Sequence, residues 1–451
     1  MLRFKYFLWI LFVAQIGFAQ KKTETNIKSF VWNEHKQNLK GKDVEYGIAA
    51  FDGADIQYRK NGNPLLRINI SDPVLVYEAE KSEPWGFVQF PRIFRATNNR
   101  IVITWNMAND DITANKKIGW KYSKDNGNNW SFNWNDRPIE GGIKIPNGDE
   151  IKMVSFNLDE KKMVTGTPLF SQLKASNRQS VNLYESKDLN DAVNKYLMNR
   201  KKRGSNKYIQ EKVNVMNNQN VLRASINGVI PNITWGPMKV MPNGQLLKVI
   251  YPLYLKNVND GDSRPSSIGF YQSKDDGYNW ELKSFIPYKS EVEGLITNRT
   301  DEIDGFTEPT FEVLTNGKIV SAIRSSSGYK VAPMYMSSSS DYAESWTEPK
   351  AVAKNGVSPQ LKQLGNKIIV LTSGRPGVQM RFSLDQGASW TDAVDFLRFK
   401  GIAGQVSCGY TGILELSNNE FLVVYSDFKH RNSKGQTRKA ILVRKVKVDR
   451  L

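Results

Sequence analysis

Four segments of this 451-residue chain repeat one short pattern, Ser-x-Asp-x-Gly-x-x-Trp. They run from Ser123 to Trp130, Ser273 to Trp280, Ser383 to Trp390 and Ser339 to Trp346, the last with Ala343 in the glycine position. Each follows a strand-like run, such as residues 118–122 or 378–382. Aspartate bonds neighbouring backbone amides and glycine accepts positive φ, so each segment reads as a tight turn. The tryptophan then returns to cover the strand pair. One match would carry little; four in one chain require a repeated supersecondary unit.

A second repeat accompanies the turns: an apolar run, a turn with Asn or Gly, then another apolar run. It spans Pro91–Trp105, Pro237–Tyr251, Pro309–Arg324, Pro359–Thr372 and Tyr410–Tyr425, with a sixth, weaker copy from Ile151 to Gly166 around Asp159 and Glu160. Turns such as Asn243-Gly244 and Asn316-Gly317 are hairpin signals. Six hairpins, most followed by an aspartate turn, predict an all-β chain: a six-bladed β-propeller of four-stranded antiparallel blades. A closed ring hides the sheet edges that a linear array would expose. Length alone suggests about three domains, but the repeats gather residues 85–451 into one propeller. Residues 20–84 then form an N-terminal segment with ring-closing strands. Leu189, Ala192, Val193, Tyr196 and Leu197 follow helical spacing, which predicts a short inserted helix with a basic run at 199–203 at its end, read either as a solvated end or as a loop that helps hold an anionic polymer.

The chain opens with Arg3 and Lys5, an apolar run from Tyr6 to Ala14 and small residues before Gln20. Residues 1–19 therefore read as a secretory signal peptide, which places the mature chain in the periplasm or medium. No later stretch is apolar for long enough to span a membrane. The formal charge is +18, and loss of Arg3 and Lys5 with the leader leaves 18 − 2 = +16. Such an excess points to an acidic partner. Nucleic acid is not favoured, because no nucleic-acid module is present and no aromatics interleave with the run at 199–203. Two histidines, His35 and His430, and one cysteine, Cys408, exclude a disulfide framework and a Cys/His zinc site. No ligand cluster or Gly-rich phosphate loop implies a metal or organic cofactor. Oligomeric state is not legible.

The aspartate turns and hairpins resemble those of the sialidase superfamily, the Asp-box propellers, over roughly residues 85–448. In that family the aspartate turns are structural, and the chemistry sits at the ends of the inner strands. Phe306-Thr307-Glu308-Pro309, followed by Arg324, resembles the family's acidic residue and arginine at the two ends of one hairpin. Ser373-Gly374-Arg375 matches a further arginine before the last aspartate turn. Cys408-Gly409-Tyr410-Thr411 matches the context of the nucleophilic tyrosine. The first-blade Phe-Arg-Ile-Pro signature is approximated by Phe90-Pro91-Arg92-Ile93-Phe94, leaving Arg92 or Arg95 for that arginine. The resemblance thus implies Tyr410 as nucleophile, Glu308 as its base, and Arg92, Arg324 and Arg375 as a clamp on a sugar carboxylate. Asp110 or Asp111 would be the acid, Asp110 being preferred.

Arginine forks suit a carboxylate, bidentate and always charged. A neutral phenol also avoids the repulsion that a carboxylate nucleophile would meet from an acidic sugar, and sialidases are the tyrosine exception among retaining glycosidases. The expectation is an exo-acting hydrolase of a terminal acidic sugar. Two rivals stand beside it: a lyase or hydrolase of uronate-containing polysaccharide, in which a histidine should matter, and a propeller that binds anionic glycans without turnover. Cys408 reads as a buried small residue, and His430 as a surface one.

Overall fold

In the computed structural model the described residues are 29–30, 46–49, 53–58, 61–110, 117–136, 140–174, 179–232, 236–256, 265–288, 303–327, 333–353, 356–375, 377–399 and 406–451. The expected leader at 1–19 lies outside them. The described chain is nearly all strand, and none of its helices is long and apolar enough to cross a membrane.

Six hairpins organise it among the described residues. Their strands are Phe87–Arg95 with Ile101–Met107, Ile143–Lys144 with Glu150–Val154, Met238–Val240 with Leu246–Leu255, Ile303–Val313 with Ile319–Ser327, Val357–Gln363 with Ile369–Gly374, and Thr411–Ser417 with Glu420–Arg431. Five of the turns share one hydrogen-bond pattern. In the turn that starts at Met241, Met241 N donates to Gln245 O and Gly244 N donates back to Met241 O; turns starting at Ala96, Ile145, Leu314 and Leu364 repeat both bonds. Most hairpins add a third and a fourth strand, such as Met334–Ser339 and Lys350–Ala353. The last hairpin is completed by Thr437–Arg450 and then by Pro64–Ile70, so the start and end of the described chain share one sheet. First strands of successive hairpins pack side by side: Val357–Gln363 against Ile303–Val313, and Thr411–Ser417 against both Val357–Gln363 and Phe87–Arg95.

Apolar residues fill the spaces between sheets. Phe270, Phe306, Phe311 and Tyr335 form one such cluster, and Phe382, Phe396, Tyr425 and Val446 belong to another. The aspartate turns close these layers from one end. In the second turn Asp275 accepts from Ser273 Oγ at 2.8 Å, from Asn279 N at 3.0 Å and from Asn279 Nδ2 at 2.6 Å, while Trp280 Nε1 donates to Gly277 O at 2.9 Å. The other three turns repeat the serine and aspartate bonds. Ala343 adopts φ 67 where its counterparts are glycine, and its methyl is buried in the Phe270 cluster.

Two expectations are corrected. The second hairpin turns at Asn147-Gly148, not at Asp159-Glu160; Asp159 instead caps the single helical turn Glu160–Met163. The repeat of Pro146-Asn147-Gly148 in Pro242-Asn243-Gly244 is the signal that locates it. The helix expected from Leu189 to Met198 is a short 3-10 turn, Asp191–Asn194, followed by the strand Lys195–Lys201. Tyr196, Met198 and Arg200 are buried in strict alternation, and strands pair on both sides. Period-two burial with two ladders prevails over a helical pattern only ten residues long. The basic run is correspondingly not all solvated. Arg200 is 1% exposed, 2.6 Å from Glu211 and 3.5 Å from Asp149, and donates to Asp276 O at 2.9 Å.

An insertion of strands, Phe156–Asp159, Phe170–Leu173, Ser180–Tyr184, Val221–Ile226 and Val229–Asn232, pairs through Val221 and Leu222 with Leu255 and Tyr254. The aspartate turns are structural on this geometry. Asp275→Ala is expected to cost about 1–2 kcal/mol of stability through lost charge-assisted bonds, read by chemical denaturation, without altering any activity.

Candidate functional site

Three hairpins carry the same irregularity where their first strand begins. A one-residue bulge lies between Gln89 and Arg92, between Thr307 and Thr310, and between Val357 and Gln360. The residue before the proline in each bulge is left-handed: Phe90 at φ 53, Glu308 at φ 46 and Ser358 at φ 44. Gly236 and Gly409 adopt positive φ at the matching places, before Pro237 and Tyr410. Such backbone at non-glycine residues costs about 1–3 kcal/mol each and collects at functional sites. Bulges re-aim side chains there.

The re-aimed side chains meet at Glu308. Its Oε1 accepts from the Tyr410 hydroxyl and, at 2.6 Å, from Arg324 Nη1. Its Oε2 accepts from the backbone N–H of Ser358 at 2.8 Å. Burial works to raise the Glu308 pKa, but the charge and hydrogen bond of Arg324, the bond from Tyr410 and the charge of Arg375 hold it below the ordinary value. Burial and then the Glu308 charge push the Tyr410 phenol well above its ordinary value. At rest the pair is therefore a protonated tyrosine on an ionised carboxylate. Tyr251, midway along the strand Leu246–Leu255, has its phenol raised by burial and then by the same carboxylate.

Arg375 stands beside Tyr410 because two backbones touch. A Cβ added to Gly374 would lie 2.1 Å from Gly409 Cα, so only glycine allows the approach. Arg375 Nε donates to Cys408 O at 3.0 Å, and the other guanidinium N–H groups have no hydrogen-bond partner among the described residues. Its guanidinium lies 5.4 Å above the Trp85 ring, and Trp85 Nε1 donates to Asp110 Oδ2 at 3.0 Å. Phe90 packs edge-on to Tyr410 at 4.8 Å, and Phe428 edge-on to Trp85 at 6.1 Å.

Glu308, Arg324, Arg375, Tyr410 and Asp110 are thus linked through contacts, Asp110 by way of Trp85. Asp111 lies outside the described residues. Arg92 does not join them. The bulge turns its side chain outward, 68% exposed, where Nη2 meets Glu140 Oε1 at 3.0 Å. Arg95 sits at the hairpin tip, donating to Asn99 O at 3.2 Å. The expected third arginine is therefore absent from the cluster among the described residues. Phe90, not an arginine, occupies the bulge position that Glu308 holds in its own hairpin. His430 lies 3.1 Å from Glu78 on an outer strand, and His35 is outside the described residues. Cys408 is buried and accepts from Phe90 N through Sγ at 3.4 Å.

Trp85, Phe90, Tyr251 and Lys174 escape the sequence reading. Aligning the residue before each inner-strand proline would have found Phe90. Nothing marks Lys174, which follows the inserted strand Phe170–Leu173; burial lowers its ammonium pKa, and it lies in the field of Asp304 and Arg324. The arrangement offers an aromatic floor, a phenol that can pass its proton to a bonded carboxylate, and guanidinium N–H groups aimed at no protein acceptor.

No family model matches the chain, and no curated protein matches it by sequence. Among solved structures, a protein of unknown function from Dyadobacter fermentans is similar with a TM-score of 0.54 at 16% identity, covering 85% of this chain and 99% of that one. The likeness is one of fold. A Hadza microbial sialidase is similar with a TM-score of 0.45 at 13% identity, covering 89% and 74% of the two chains. An α-L-arabinanase from Penicillium chrysogenum gives 0.42 at 12%, covering 83% and 98%.

Behind the cluster, between Phe428 and the Ser426 that contacts Cys408, lies Asp427, 5% exposed. Burial raises its pKa to about 7, against the bond from Lys429 N and the charges of Arg444 and Lys429. The folded state therefore keeps a proton that the unfolded state releases near pH 4. The stabilisation is full at low pH and is lost as pH rises from about 4 to 7. Calorimetry of Asp427→Asn should show a smaller fall in Tm between pH 5 and pH 8 than the unmodified protein; coincident pH dependences would refute this origin.

Proposed function

We propose that the chain is an exported glycoside hydrolase of sialidase type, its hairpins closed as a six-bladed ring. It removes a terminal carboxylate-bearing sugar with retention of configuration. The observation that carries the reading is the hydrogen bond from Tyr410 to a Glu308 carboxylate held by Arg324 and the Ser358 amide. A tyrosine paired with a base is an activated nucleophile.

In the first step the Tyr410 oxygen bonds to the anomeric carbon while its proton passes to Glu308. The glycosidic C–O bond breaks as Asp110, in the role of the acid, gives a proton to the leaving oxygen. In the second step water attacks the anomeric carbon, Asp110 takes the water's proton, and Glu308 returns the proton to the departing phenolate. The phenol is harder to ionise than usual and the carboxylate weaker as a base, so transfer and attack proceed together. Arg375 supplies the clamp on the sugar carboxylate, aided by Arg324 where its fork is not used by Glu308. Arg92, tied to Glu140, is not part of this clamp. Trp85 and Phe90 give the ring an apolar floor, as ligand pockets commonly do. The leader supports the assignment to periplasm or medium.

The test is incubation with a panel of acidic glycans, with mass analysis of products and NMR of the first-formed anomer. A released acidic monosaccharide of retained configuration is expected. Tyr410→Phe should lower kcat at least ~10²-fold, and Arg375→Ala should both raise KM and lower kcat. A Tyr410→Phe enzyme within a few-fold of the original would overturn the mechanism. An unsaturated, ultraviolet-absorbing product would replace it with a lyase.

A further inference from the structure

We propose that a cavity at the turn end of the sheets, away from Tyr410, is a second binding site for an anionic oligosaccharide. The cavity measures about 500 Å³ and lies between the Pro146-Asn147-Gly148 tip and the turn at 202–205. Gly244, at the neighbouring tip, approaches Pro146, and the strand Leu246–Leu255 runs from there to Tyr251 at the candidate site. Six strand residues at about 3.3 Å each separate the two places by about 20 Å.

Four cations line the cavity, Lys144, Lys201, Lys202 and Arg203, against one lining carboxylate, Glu150. Lys201 is neutralised by Glu150 at 2.5 Å, and Lys202 by the buried Asp149 at 3.1 Å. Lys144 and Arg203 have no acidic partner among the described residues. The Arg203 side chain is laid across Gly148: a methyl added there would sit 2.8 Å from its Cδ, and the glycine is at φ 91. The backbone N–H of Arg203 is anchored on Asp149 at 2.9 Å. Gathering like charges in a concave surface is unfavourable until an anion arrives, and the concavity focuses their field.

The volume falls in the range of sites for small organic ligands and exceeds what one inorganic anion fills. Beside it the Tyr278 ring is 39% exposed, with the Arg200 guanidinium 4.1 Å over its face, and its hydroxyl accepts from Lys202 at 2.8 Å. Carboxylate or sulfate groups spaced along a short saccharide match two surplus cations flanking neutralised ones. A site on the same polymer as the reacting end would raise its effective concentration at the cluster. Binding here does not require that the cluster hydrolyse anything, so the two readings fail separately.

The experiment is titration calorimetry of the full chain with trigalacturonate, a sulfated heparin tetrasaccharide, inorganic sulfate and a 12-nucleotide single-stranded DNA. Expected is binding of at least one oligosaccharide that weakens with salt and falls tenfold or more in Lys144→Glu/Arg203→Glu. Arg203→Gln, which removes the charge with little change in shape, should weaken it several-fold. Tyr410→Phe should bind as the unmodified protein does, and the Lys144/Arg203 variants should keep the kcat of a small substrate. The trigalacturonate and heparin arms separate carboxylate from sulfate recognition. Absence of oligosaccharide binding, sulfate binding as tightly as the saccharides, DNA binding more tightly than either, or undiminished affinity in Arg203→Gln would each overturn the proposal.

Discussion

One buried carboxylate ties three neighbouring sheets together. Glu308 belongs to the hairpin that also carries Arg324, Ser358 stands at the start of the next hairpin, and Tyr410 stands immediately before the one after that. All three hold the same two oxygens. An ion in such a setting is tolerable only when its bonding capacity is filled, since removing one partner of a buried pair leaves an uncompensated charge. The left-handed backbone at Glu308 and Ser358, and the glycine contact beside Tyr410, are what bring these partners within reach. The same constraints that complete the fold thereby define the cluster.

Much of this was legible in the sequence because turns and hairpins obey local rules. The four aspartate turns form the bonds that their spacing implies, and five of the six hairpins lie where their apolar runs put them. Glu308, Arg324, Arg375 and Tyr410 were legible because each flanks a repeated hairpin. Arg92 was misplaced because it follows the proline of its bulge: the position that Glu308 holds before Pro309 falls to Phe90 before Pro91, and Arg92 is left facing outward. The helix expected from 189 failed similarly, since ten residues fit two periods and only the flanking ladders decide between them. Tyr251 and Lys174 depend on long-range packing, Tyr251 against the neighbouring sheet and Lys174 from the insertion, which leaves no local trace.

Charge follows two separate logics. At the cluster, cations are few and directed: Arg324 is committed to Glu308, while Arg375 keeps N–H groups without a protein acceptor. At the turn end, cations are many and partly neutralised, with Arg200 buried as a structural ion pair beside the more open Lys201, Lys202 and Arg203. The basic run is thus neither uniformly solvated nor uniformly functional. A formal charge of +18 is a sum over such unlike environments.

In the proposed mechanism Tyr410, and no carboxylate, forms the bond to the sugar. Brief exposure to a 3-fluoro sialosyl fluoride, followed by acid quench, proteolysis and tandem mass spectrometry, tests it most directly. The account predicts a glycosyl adduct on the peptide that contains Tyr410, absent from Tyr410→Phe. An adduct on Glu308 or Asp110 with Tyr410 unmodified would contradict it.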